Sequence, residues 1–261
     1  MNDHVTLLSS TRAEWIKFRT VRSTVMGFLV TVVLTVGLGA LITTAIRGHW
    51  NSMAPIRKLT FDPVSSSLGG ILFAQFAIGV IGTLFITSEY SSGSIRSTLA
   101  AVPRRRLLVT SKLLVLILST LVVGELVCFA TFVMGQAIFS GVVPTASLGD
   151  GAVLRSVILA GIYLTLLAVL GFALGLILRQ SAACISTFTS LLLVLPIITF
   201  LLPTSWQNAV SKFEPSALGH AMMSPSPPDQ MFGAWTATGI LLAYVLLTLG
   251  VGMALMVRRD A

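Results

Sequence analysis

The sequence predicts an all-α polytopic membrane protein with six transmembrane helices, preceded by an amphipathic helix lying in the membrane interface. Two observations carry this. Of 261 residues, 55% are hydrophobic and 10% charged, and the mean hydropathy is +0.93. A soluble domain presents about 25% charged residues, so this chain lacks the means to cover a core with a wettable surface. The apolar residues also gather into six runs, each near the roughly 20 residues that cross a bilayer as a helix. Backbone in lipid must satisfy its own hydrogen bonds, and the runs are too long and continuous for barrel strands. An ordinary cytosolic enzyme is excluded, and residues 1–261 read as a single transmembrane domain.

The lead-in covers residues 7–22. At 100° per residue Leu8, Thr11, Trp15 and Phe18 fall on one arc, with Arg12, Lys17 and Arg19 off it. Trp15 and Phe18 are expected to anchor this helix at headgroup level, although Glu14 breaks the pattern. The plainer alternative is a basic tail that only sets topology. Its polar residues are too many, and no A-x-A site is evident, for a cleavable signal.

The spans are expected at about 23–46, 68–88, 107–139, 153–178, 182–202 and 233–257. The third is longer than a crossing requires and should tilt or project. The turn at 179–182 makes the fourth and fifth a tight hairpin. The connection 203–232 holds Pro203, Pro215, Pro225, Pro227 and Pro228, yet also Trp206, Val210, Phe213, Leu218, Met222 and Met223. That apolar content argues for external short helices in the outer interface and against disorder.

Orientation follows from the cations. Arg12, Lys17, Arg19, Arg22, Arg96, Arg104, Arg105, Arg106, Lys112, Arg179, Arg258 and Arg259 fall on one side, and Arg47, Arg57, Lys58, Arg155 and Lys212 on the other. The positive-inside rule then places both termini in the cytoplasm of a cell (plasma) membrane. The net charge of +8 reports this topology and contact with anionic membrane lipid, not nucleic acid. Cys128 and Cys184 lie within apolar runs and read as packing residues, with no disulfide or metal site.

Catalytic groups are sparse. His4, His49 and His220 all fall outside the spans, and no H-E-x-x-H, G-x-S-x-G or aspartate-rich pair occurs. The lysines follow Ile16, Arg57, Ser111 and Ser211, so the Gly-Lys step of a P-loop is missing. ATP hydrolysis by that route is not expected on this chain, and energy coupling must come from a partner.

Residues 89–106 join the second and third spans. Ser94 can cap a short helix, Ile95, Leu99 and Val102 stack along one face, and Pro103 ends it. Such an apolar ridge suits a groove on another protein, while a simple topogenic loop is the even alternative. The string Glu89-Tyr90-x-x-Gly93, with Leu99, Pro103, Arg106 and Lys112, resembles the coupling segment of type-2 ABC export permeases. These are six-span subunits whose ATPase is commonly a separate chain. Phe213-Glu214-Pro215-Ser216-Ala217-Leu218-Gly219 is similar to the Pro-rich turn those permeases carry before the last span.

The resemblance implies a coupling helix seated in a cleft of the ATPase, with contacts from Glu89, Gly93, Ile95, Arg96, Leu99, Pro103 and Arg106. It also implies two ABC ATP-binding subunits holding ATP and Mg, no cofactor on this chain, and a second permease copy or a related permease. The implied activity is export by alternating access; the lack of a large external domain favours a small amphipathic drug, antimicrobial peptide or lipid-like cargo. A non-transporting anchor or immunity subunit that sequesters a toxin is the alternative.

Within the spans, Glu125 is the one mid-span acid, thirteen residues beyond Lys112 and so about 20 Å along a helix. A carboxylate there should be protonated, paired or turned to a cavity, which makes Glu125 a candidate for the cargo pathway or for interhelical packing. Gln75 and Tyr163 are weaker candidates of the same kind. Gly171, Gly175, Gly250 and Gly252 read as packing sites for close helices.

Overall fold

Among the described residues all regular structure is helical, with no strand, as a backbone immersed in hydrocarbon requires. The computed structural model describes residues 6–102, 104–228 and 230–258. His4, Pro103, Arg259 and the side chain of Leu99 lie outside the described residues.

An interfacial helix, Leu7–Thr20, leads in. Among the described residues six helices are long and apolar enough to cross a membrane: Thr24–His49, Pro63–Ser91, Arg105–Phe139, Gly151–Leu178, Ser181–Phe200 and Ala234–Arg258, called spans 1 to 6. Their bounds depart from the expected ones by a few residues. Span 2 departs most, because Asp62 caps it, accepting from the Val64 amide at 2.9 Å, and Pro63 opens its first turn. Span 3, at 35 residues, is about 52 Å long and outruns a 30 Å hydrocarbon layer.

Span 4 is the axle of the bundle. In its most apolar stretch 78% of residues are buried, against 17% in span 1 and 22% in spans 5 and 6. It packs on spans 2, 3 and 6. Small residues let the backbones approach: a Cβ on Gly82 would stand 1.8 Å from the Ala168 carbonyl oxygen, and one on Gly171 would stand 2.3 Å from that of Gly79. Gly252 likewise faces Leu176 and Ala173, whereas Gly250 has no other part of this chain within 4 Å.

Spans 1 and 5 each contain one wide π turn, Val33–Gly37 and Ser190–Val194. In span 5 the cause is Pro196, which has no N–H to give and whose ring crowds the preceding turn. In span 1 the Gly70 backbone presses on the Thr35 carbonyl, while Thr35 donates its hydroxyl to Thr31 at 2.7 Å.

On the side of the bundle away from the termini, Trp50, Phe61 and Phe139 stack edge to face. Gln136 of span 3 fastens the loops there, donating to Ser67 Oγ at 2.9 Å and accepting from the Ala146 amide at 2.7 Å. The connection between spans 5 and 6 does contain short helices, but only Thr204–Val210 fits an interfacial position, with no buried residue. The other, Pro215–Met223, folds inward: Leu218 and Met222 are fully buried, and a Cβ on Gly219 would strike the Tyr163 ring.

Candidate functional site

The terminal side of the bundle holds a cluster of buried charge. The interfacial helix starts at a capping box, in which Thr6 and Ser9 satisfy each other's backbone amides. Its buried face is Ser10, Glu14 and Phe18, while Leu8 is 81% exposed and Trp15 is 42% exposed. Glu14, the residue that breaks the amphipathic pattern, is therefore the one that fastens the helix. Phe18 faces protein and not lipid: it is buried edge-on against Phe28 and Phe85. Of the two aromatic residues expected as anchors, only Trp15 is free to meet a headgroup.

Lys112 of span 3 is fully buried and is the hub. It donates to Glu14 Oε2 at 2.6 Å and to Glu89 Oε1 at 2.7 Å, and lies 5.0 Å from the Phe85 ring centre. Lys17 of the interfacial helix also pairs with Glu89 Oε1. The four charges cancel, two carboxylates against two ammoniums. Such a cluster repays its desolvation only when geometry is good and every charge has a partner. A lysine suits the hub because its compact ammonium can donate in three directions at once. The cluster ties the interfacial helix to the ends of spans 2 and 3.

The chain leaves span 2 through Gly93, whose φ of +71° is the left-handed conformation glycine adopts without strain. Gly93, not Ser94, is the residue that precedes the short helix Ser94–Ala101. Ile95 turns inward and is 4% exposed, part of the core. The expected ridge is thus not presented outward at Ile95, and Glu89 is held inside the charge cluster. Among the described residues expected to touch an ATPase, Gly93, Arg96 and Arg106 are the ones with exposed surface. Ser97, Ala100 and Arg104 are exposed beside them. Arg105 turns the other way and donates to the Met256 carbonyl at 2.8 Å, which closes span 6 onto span 3.

The intramembrane candidates do not converge. Tyr163 donates to Gln75 Oε1 at 2.6 Å, and Gln75 Nε2 donates to the Leu72 carbonyl at 2.8 Å. Both are buried, so they join spans 2 and 4 and line no open path. Glu125 is half-buried beside Gly161 of span 4, where a Cβ would stand 2.5 Å from the carboxyl carbon; its Oε2 is buried without a partner. A cleft of about 920 Å³ between the interfacial helix, span 1 and span 3 reaches Val122 and Val123 but not Glu125. Cys128 and Cys184 are free and buried.

Six membrane-competent helices among the described residues, with a surface helix fastened to two of them by buried ion pairs, define a multi-pass membrane protein. The chain matches the family described as ABC-2 family transporter protein over residues 11–197, a stretch that takes in the charge cluster and most of the first five spans. It belongs to that family, an ABC-type permease whose kind works with an ABC ATP-binding subunit. No curated protein matches it.

Proposed function

We propose that this chain is the permease subunit of an ATP-driven exporter in the plasma membrane, with both termini in the cytoplasm. The observation that supports this best is the helix Ser94–Ala101. Its outer face is exposed and flanked by Arg96, Arg104 and Arg106, and its inner face is seated by Ile95 on the core. ATP and Mg are held by a separate ATPase, two copies of which dock beneath two permeases, since six spans form half of a pathway. This chain itself performs no hydrolysis and binds no cofactor.

In this reading, closure of the ATPases pushes Ser94–Ala101. The push reaches span 2 through Gly93 and span 3 through Arg104, which precedes it. It reaches the interfacial helix through Glu89, Lys112 and Glu14, so the three elements shift as a unit and span 1 follows. Packed helices with two arrangements then alternate which side is open. The cargo class is small and amphipathic.

Arg96→Glu tests the docking face. The side chain is exposed, so insertion and thermal stability should be unchanged, while ATPase stimulation by the permease should fall ten-fold or more because the substitution reverses the charge at the centre of a basic docking face. Normal co-purification of the ATPase together with normal export would remove this helix from the interface.

A further inference from the structure

The second cleft of note lies on the opposite side, between spans 4, 5 and 6 and the connection before span 6. It measures about 760 Å³ and is walled by Leu170, Leu191, Leu195, Phe213, Tyr244 and Glu214, among others. Its floor includes the π turn of span 5, which widens the helix there. Its mouth opens between spans 5 and 6, where Ile198 is 53% and Leu247 69% exposed.

Glu214 is out of place in such a wall. It is 6% exposed, its Oε1 is buried, and that oxygen has no hydrogen-bond partner. It precedes the helix Pro215–Met223 yet makes no side-chain cap. The nearest cation along the chain does not serve it: Lys212 lies over the Phe213 and Phe232 rings, at 5.6 and 5.3 Å from their centres. A buried carboxylate without a partner is costly, and a ligand that brings a positive charge into the cleft relieves that cost. Tyr244 also lines the cleft, an aromatic ring of the kind that attracts cations.

We propose that this cleft binds hydrophobic organic cations, with Glu214 as the counter-ion and the leucine-rich walls taking the apolar body. The site deepens the export reading by naming the cargo class, and rests on that reading only for the direction of movement.

The test uses the purified permease in detergent without its ATPase, and two probes of matched shape and opposite charge, tetraphenylphosphonium and tetraphenylborate. Saturable binding of the phosphonium, weakened ten-fold or more by Glu214→Gln at unchanged thermal stability, supports the site. Weak borate binding that the same substitution leaves unchanged or strengthens supports it as well. Equal binding of both ions shows a merely apolar groove and overturns the proposal. So does an absence of phosphonium binding, as expected if a second copy or an acyl chain fills the cleft. Phosphonium binding that is insensitive to Glu214→Gln also overturns it. Because no ATPase is present, these outcomes are independent of the Arg96→Glu result.

Discussion

Replacing Lys112 by methionine keeps the length and apolar stem of the side chain and removes its charge. In the native chain Lys112 is 0% exposed and donates to two carboxylates, at 2.6 and 2.7 Å. After the substitution Glu89 keeps only Lys17, whose side chain is 39% exposed, and Glu14 keeps nothing. An uncompensated buried charge costs about 3–5 kcal/mol. For a chain of this size 1 kcal/mol moves the midpoint by about 2–4 °C, so a loss near 10 °C is expected. Glu14→Gln should cost far less, because Lys112 still has Glu89. The triple variant Glu14→Gln, Glu89→Gln, Lys112→Met removes all the charge that Lys112 balances and should recover most of the loss. Thermal unfolding of detergent-solubilised protein, followed by size-exclusion chromatography of the surviving fraction, ranks the variants. Equal midpoints for Lys112→Met and Glu14→Gln, or a triple variant worse than Lys112→Met, would refute the reasoning, since either shows that the charges are not balancing one another.

Two further outcomes follow from packing and topology. Gly82→Leu should prevent recovery of folded protein, because any Cβ there meets the Ala168 carbonyl, whereas Gly250→Ala, with nothing within 4 Å, should express like the parent; yields after membrane extraction decide it. Single cysteines at the exposed positions Ser52 and Asn208 should react with an impermeant thiol reagent in intact cells, and one at Ser97 should not. Labelling at Ser97 would reverse the orientation.

The spans were legible because a bilayer selects for apolar length, and that quantity can be read directly along a chain. Their ends were less so. Hydropathy marks where side chains become polar, while the helix of span 2 begins at a backbone device, Asp62 followed by Pro63, that hydropathy does not see. The cluster around Lys112 was hidden for a different reason. Amphipathic arithmetic treats Glu14 as an error on an apolar face, because its partner lies 98 residues away and no periodicity spans that distance. The available signal was a pair of anomalies, an acid on the interfacial helix and a lone lysine inside an apolar run, which cancel only when taken together. Ile95 shows the converse. Spacing alone made it one of a ridge, but a short helix beside a large core turns its most apolar residue inward. Gln75 and Tyr163 were flagged as intramembrane polar groups, and they satisfy each other instead of facing a path.

The separation between Glu14 and Lys112 has a consequence for biosynthesis. Two complete spans are made between the two residues, and at about 5–20 residues per second the ribosome needs roughly 5–20 s to cover that distance. Throughout that interval the Glu14 carboxylate has no counter-charge to settle on, although Lys17 can already meet Glu89 once span 2 is made. Only when span 3 brings Lys112 can the Glu14 contact form and the cluster be completed. The interfacial helix thus completes its contacts only after two later spans have been made, and it acts as a latch that closes once the third span is in position.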